Sequence, residues 1–455
     1  MAGNSRTGRG GKHPLRAVPT AVVVGFLCTT VAAAQVPPGG STRTLTLDSA
    51  IQLAEEQNPG LLAADEQINA ARGAVWGAMG GMLPTISFST LWNFSEKVQV
   101  IDFSAMGGPS KVELDFTQDY QGGVNIGMPL WTWGATRAGY KDARTGVDMA
   151  HSNLEGNRHE VKMQVTQAFY GVLLAEEGLK VAKDALAQAE RQEAIAAQRL
   201  AHGAASQFDH LRAQVQVANL RPAVVRAEAM VRQARIGLNL LLGLPADEQI
   251  RLEGELRYTP VELTLEDLKR DALSNRADLR SARLGLQRAD LAVSMARASR
   301  LPSVVVSGNY NYRSNNALLN EGFDDNYMAN LVVAVPIFDA FAAKSRTSMA
   351  RAGREQARIM VDQLQQVIEA EVEQSCQDLW AAEQSYLAQI DNVAVAERAL
   401  EIAQVSFENE MMTSVELMDS QLALTMARQN HFQSLFDYLV ALARIEKAVG
   451  QTISY

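Results

Sequence analysis

Cysteine is nearly absent from the 455 residues: Cys28 and Cys376 are the two present, and aromatic residues make up only 6% of the chain. Cys28 falls in an N-terminal segment that reads as removable, so one thiol remains and an intrachain disulfide framework is excluded. Beyond that segment, long apolar runs are missing too. The uncharged stretch from Gly73 to Ser95 is interrupted by Gly80, Gly81 and Pro84, which rules it out as a membrane helix. No Gly-rich phosphate loop, nucleophile elbow or zinc-ligand spacing occurs, so the sequence gives no grounds for an enzyme or a cofactor. His151 and His159, flanked by Glu155 and Glu160, do not make a metal cluster. Eight residues of helix hold the two imidazoles about 12 Å apart, against a ligand reach of about 2 Å, and both read as solvent-facing. The pair Met411 and Met412 reads as adaptable packing.

Positive charge is also in short supply. The net charge is −9, and Arg6, Arg9, Lys12 and Arg16 are the charges of the first 34 residues; taking those four from −9 leaves −13. They precede an apolar run from Ala17 to Val31 and a small-residue site at Ala32, Ala33 and Ala34. This is the pattern of a secretory signal, residues 1–34, and predicts an exported mature chain. An acidic mature chain excludes nucleic acid as a partner.

What is present is a duplication. Leu83-Pro84 and Leu301-Pro302 each end an Ala-rich segment and open an alternating one. Aligning them lays TLTLDSAIQLAEEQNPGLL on ELTLEDLKRDALSNRADLR without a gap. A second alignment lays Pro129 on Pro336 and then runs unbroken until Gly243 meets Gly450. The length difference between the copies is confined to the segment between these marks, where a loop absorbs it. The copies span 35–243 and 262–450, with a linker at 244–261 and a tail at 451–455; each is too long for a solenoid unit.

Within each copy the alternation predicts two strands, about 85–95 and 115–129, then about 303–313 and 326–337. Ile86, Phe88, Trp92 and Phe94 share one face; Ser87, Ser89 and Asn93 share the other. Phe116, Tyr120, Val124, Ile126 and Met128 likewise oppose Thr117, Asp119, Gln121 and Asn125. Val304, Val306, Tyr310 and Tyr312 oppose Ser303, Ser307, Asn309 and Asn311, while Tyr327, Leu331, Val333 and Val335 form the fourth apolar face. Period two over about ten residues suits a tilted membrane strand with lipid on one side and water on the other, and it also suits a half-buried soluble sheet. In lipid, four strands cannot close alone, because an open edge strands backbone groups at several kcal/mol each. The membrane reading therefore requires oligomerisation.

The remaining sequence predicts helices of about 135–201 and 340–408, each on the order of 100 Å long. Val165, Val172, Leu179, Leu186 and Leu200 recur at heptad spacing, as do Val372, Leu379, Tyr386, Val393, Leu400 and Phe407. Such seams call for a partner helix. The next segment, about 206–242, supplies one over part of that length, and the helix before the strands would complete it end to end.

Helix to Leu-Pro to strand, Pro-Leu-Trp or Pro-Ile-Phe-Asp back into a very long helix, and the duplication together resemble the TolC-like outer membrane efflux proteins. That resemblance implies a mainly α fold with membrane β: a homotrimer forming one 12-stranded β-barrel continued by a 12-helix periplasmic α-barrel. It implies an outer membrane channel, passive and gated at the helix tips. Its partners would be outer membrane lipid, a periplasmic adaptor and an inner membrane pump or secretion ATPase. Pro84, Pro129, Pro302 and Pro336 would mark the helix–strand junctions. Gly203, Ala204, Ala205, Met411, Met412 and Thr413 would form the adaptor-docking tips, although Glu410 and Met412 depart from the family pattern there. Glu416 and Asp419, with Asp209, would ring the pore entrance; without the resemblance the same carboxylates read as a solvated helix face. A periplasmic coiled-coil adaptor or scaffold would share the signal and the heptads but has no need of four strands placed symmetrically in both copies. An exported enzyme on a helical stalk finds no residue constellation to support it.

Overall fold

The structure, a computed structural model, describes residues 43–94, 98–101, 112–115, 118–315, 322–409 and 411–452. The signal segment 1–34 with Cys28, the strand positions Phe116 and Thr117, the tip residue Glu410 and tail residues 453–455 lie outside the described residues.

The first copy runs β1 (Arg43–Leu45), α1 (Leu47–Gln57), α2 (Pro59–Gly80), β2 (Thr85–Phe94), β3 (Val98–Ile101), β4 (Val112–Asp115), β5 (Gln118–Trp131), α3 (Ala135–Ala201) and α4 (Gln207–Leu241). The second runs β6 (Ile250–Leu252), α5 (Leu265–Asn275), α6 (Ala277–Ala298), β7 (Ser303–Asn315), β8 (Gly322–Ala334), α7 (Ala342–Glu408) and α8 (Ser414–Val449). Two features differ from the sequence reading. Strands β3 and β4 form a separate two-stranded ribbon, too short for alternation to reveal. The stretch read as linker contains β6, which pairs in parallel with β1 from Arg43↔Ile250 to Leu45↔Leu252.

Local signals explain the helix starts. Asn58 caps α2, its Oδ1 accepting from the Gly60 and Leu61 amides at 2.9 and 3.2 Å, with Pro59 at the first helical position. Ser206 with Asp209 caps α4, and Thr413 with Glu416 caps α8, as reciprocal capping boxes at matching positions of the two copies.

Helix α3, 67 residues and about 100 Å long, packs against α2, α4, α6 and α8; α7, also 67 residues, packs against α5, α6 and α8. Helices α2 and α4 share the length of α3 by meeting end to end. Where they meet, Asn58 Nδ2 donates to the Leu241 carbonyl at 2.8 Å. Gly243, at φ +72°, presses against the Gln57 backbone there, and Gly450, at φ +75°, presses against Arg276 in the second copy. A side chain at either position would strain the backbone, and at Gly243 it would also clash with Gln57.

The heptad positions form the seams. Val165 and Val172 are fully buried in a core with Phe169 and Leu238, and Val372 and Leu379 are buried with Ile368, Tyr438 and Ile445. Toward the second tip, Ala396, Leu400 and Ala403 pack on Leu417, Leu424 and Ala427. Each fully buried Val, Leu or Phe contributes about 1.5–3 kcal/mol, so hairpins this long hold together along their whole seam.

Candidate channel wall and pore entrance

The four long strands form one antiparallel sheet in the order β2-β5-β7-β8. Its register decides which side chains share a face, because directly paired residues project the same way. Phe88 pairs with Val124, Val124 with Tyr310 and Tyr310 with Tyr327, so one apolar row crosses all four strands. One residue along, Ser89 pairs with Gly123, Gly123 with Asn311 and Asn311 with Asn326. A second polar row joins Ser87, Asn125 and Asn309. Asn125 Nδ2 donates to Ser89 Oγ at 3.3 Å, tying the two rows together. Gly123 has no room for a Cβ because the Asn311 amide and the Tyr310 carbonyl lie over it. The apolar face is bare: Phe88 is 73% exposed and Tyr327 85%. The outer edges of β2 and β8 have no partner strand among the described residues.

At the junctions, Pro84 and Pro302 immediately precede β2 and β7, where a missing amide costs the ladder nothing. Pro336 follows the end of β8. Pro129 is placed differently from the sequence reading: it lies inside β5, beside a register shift between Pro129 and Trp131, and the junction comes at Trp133-Gly134. A bulge accommodates the proline there. Trp133 and Gly134 take left-handed backbones, as do Ala340 and Phe341 at the matching place. Exposed Trp131 and Trp133 meet edge to face at 5.9 Å, and Phe338 and Phe341 at 6.0 Å. Aromatic side chains at the ends of membrane strands anchor them at the water boundary.

The tips lie at the other end of the long helices. Gly203 closes the first turn with φ +72°. Ala204, Ala205, Asp209 and Thr413 line a cavity of about 440 Å³ between the two hairpin tips, with Phe208, Phe407 and Leu417. The Arg199 guanidinium sits 4.9 Å from the Phe407 ring centre, a cation–π link between the hairpins that the sequence did not single out. Met411 is exposed, whereas Met412 packs on the Leu417 and Leu424 cluster. The three acidic residues divide. Asp209 Oδ2 accepts from Ser206 Oγ at 2.6 Å, and Glu416 Oε2 accepts from the Thr413 amide and hydroxyl, both at 2.8 Å. Those bonds to Thr413 hold the Glu416 carboxyl below its ordinary range. Asp419 is exposed and is the one of the three outside a capping box.

A family profile described as outer membrane efflux protein matches residues 50–244 and 268–451, covering both copies. The chain belongs to the outer membrane efflux protein family. Among its relatives is Protein CyaE of Bordetella pertussis, 28% identical over 398 residues, covering 87% of this chain and 82% of CyaE. The cobalt-zinc-cadmium resistance protein CzcC of Cupriavidus metallidurans is 24% identical over 443 residues, covering 95% of this chain and 99% of CzcC. The Campylobacter jejuni CmeC outer membrane channel shares the fold at a TM-score of 0.77 and 16% identity, over 89% of this chain and 85% of that one. Membership makes this an outer membrane efflux protein, a channel and not an enzyme. None of the described helices is long and apolar enough to cross a membrane.

One residue of this efflux protein corrects the sequence reading. His151 is exposed as expected, but His159 is half-buried, because α3 is flanked by α2 and α6 at that level. It lines a crevice of about 470 Å³ with Glu160, Arg276, Asp278 and Lys447. Burial pushes its pKa down, against the pull of Glu155. No group of three potential ligands for a metal ion occurs among the described residues.

Proposed function

We propose that three copies of this chain form the exit duct of a tripartite efflux or type I secretion system. The observation that carries this reading is the pair of rows across the sheet. Phe88, Val124, Tyr310 and Tyr327 offer one continuous apolar face, and Ser89, Asn311 and Asn326 one continuous polar face, on a sheet with two open edges. Joining β8 of one subunit to β2 of the next removes every edge and puts hydrocarbon outside and water inside. Twelve strands result, and the hairpins α3–α4 and α7–α8 continue the wall as a helical barrel across the periplasm.

The duct is passive. A periplasmic adaptor docks on the tips around Gly203, Ala204, Ala205, Met411, Met412 and Thr413, and an inner membrane pump or secretion ATPase supplies the energy. Opening is an iris-like parting of the tips. Glu416, Asp419 and Asp209 bring carboxylates from three subunits to the entrance, favouring cations. The polar rows of the strands carry amides and hydroxyls, so cargo is selected at the pump and not in the barrel.

The test is the mass of the detergent-solubilised protein together with spin labels at positions 88 and 306. A trimer with both labels reporting a lipid environment supports the reading. A lone subunit, or labels immersed in water, would overturn it.

A further inference from the structure

We propose that Tyr258 is a clasp fixing the α7–α8 hairpin to the segment that joins the two copies, so that it sets how far the second tip can swing; this rests on the gated duct described above. The joining segment runs from β6 across both hairpins. Its Glu253 amide donates to the Leu45 carbonyl at 2.8 Å, and Gly254 passes so close to α3 that an added Cβ would meet the Phe169 ring at 3.2 Å. Leu256 packs against the cores of both copies. Then Tyr258 lies between α7 and α8, its ring centre 4.9 Å from that of Tyr386 and 5.0 Å from that of Tyr438. Its hydroxyl donates to Glu383 Oε1 at 2.6 Å, and the Tyr438 hydroxyl donates to the Thr259 carbonyl at 2.6 Å. The segment thus holds both helices of one hairpin by ring contacts and two short hydrogen bonds.

The duplication shows that the hairpin residues making this grip are specific to the second copy. The first-copy counterpart of Glu383 is Glu176, which pairs across its own hairpin with Arg235 at 2.7 Å. Arg235 corresponds to Leu442, so in the second copy the glutamate has lost that partner and turns to Tyr258 instead. Tyr386 and Tyr438 likewise stand where the first copy has the seam residues Leu179 and Val231. Aliphatic seam positions have become tyrosines where the joining segment crosses. Both bonded phenols have a pKa pushed up to about 12, Tyr258 chiefly by its bond to Glu383 and Tyr438 by burial, so each remains a donor at neutral pH.

The consequence is mechanical. From Tyr386 to the end of α7 at Glu408 is about 33 Å of helix, and a tilt of about 10° at the clasp moves the tip by roughly 6 Å. Below this level the joining segment no longer touches the hairpin, so the hairpin bends there, whereas among the described residues no tyrosine clasp of this kind joins α3 to α4.

The experiment uses the full-length protein in lipid, with Tyr258→Ala, Tyr258→Phe and Glu383→Gln. Hydrogen exchange is followed in both tips, and single-channel conductance is recorded in parallel. Expected is a rise of at least about tenfold in exchange for α7 and α8 below the clasp in Tyr258→Ala, with the α3–α4 tip unchanged and longer open times. Tyr258→Phe keeps the ring contacts and gives a smaller rise; Glu383→Gln keeps an acceptor and stays near the unaltered protein. Equal exchange in both tips, or none added in either, would overturn the clasp. Unaltered protein that conducts nothing would overturn the duct reading and the gating role with it, while the exchange pattern still decides whether Tyr258 holds the hairpin.

Discussion

Asn58 and Leu241 lie far apart in sequence, yet the Asn58 side-chain amide donates to the Leu241 carbonyl at 2.8 Å while its oxygen caps α2. One side chain therefore serves the last turn of α4 and the first turn of α2, splicing two helices into one support for α3. The second copy does the same with a different residue. Arg276 occupies the matching place and donates to the Ala448 carbonyl at 3.3 Å, while also binding Asp278 at 2.7 Å and Glu371.

This splice predicts that Asn58→Ala destabilises the protein by about 1–3 kcal/mol, the sum of a lost cap and a lost hydrogen bond. Arg276→Ala costs more, because it leaves Glu371 and Asp278 without their half-buried cation. Thermal unfolding followed by circular dichroism in detergent checks the order; equal loss at the two sites would contradict it.

The strand-to-helix return stores strain in the second copy. Ala340 has φ +51° and Phe341 φ +65°, where the first copy has Trp133 and Gly134. Ala340→Gly is expected to raise stability by up to about 1 kcal/mol and Gly134→Ala to lower it by a similar amount. Melting temperatures of the two variants should move in opposite directions.

His431 lies on the α8 seam beside the Tyr386 and Phe432 rings, with its Nδ1 buried and unpaired. Burial lowers its pKa from 6.5, so the folded state prefers the neutral ring and the unfolded state takes up the proton more readily. Its contribution is present above about pH 6.5 and is lost as pH falls below that value toward the folded-state pKa. Replacing it with the first-copy residue, His431→Val, should reduce the loss of melting temperature between about pH 7.5 and pH 5. An unchanged slope would remove His431 from the account.

In the proposed duct, the capping bonds separate the entrance carboxylates. Asp419→Asn should lower the cation-over-anion permeability ratio several-fold, whereas Asp209→Asn should change it less, because that carboxylate already faces a helix N-terminus. Reversal potentials across a salt gradient give the comparison.

The sheet register makes neighbouring positions opposites. In the proposed barrel Val124→Arg faces lipid and is expected to cost about 2–4 kcal/mol near mid-membrane, cutting the yield of assembled protein, while Asn125→Arg faces water and should assemble normally with altered conductance. Heat-resistant oligomer on gels reports the yield.

The residue pattern was enough to show the duplication, the four alternating strands and the heptad helices, since each is a local periodicity set by the geometry of one element. Phe88 and Ser89 point to opposite sides of any strand, and Val165 and Val172 fall on one side of any helix. Strand order and register, the bulge at Pro129 and the burial of His159 came only from the tertiary structure. Those depend on which distant segment a residue meets, and no periodicity records it. Tyr258 shows the boundary: its chemistry is written in one letter, but its meeting with Glu383, Tyr386 and Tyr438 exists only once α7 and α8 have packed and the joining segment is drawn across them.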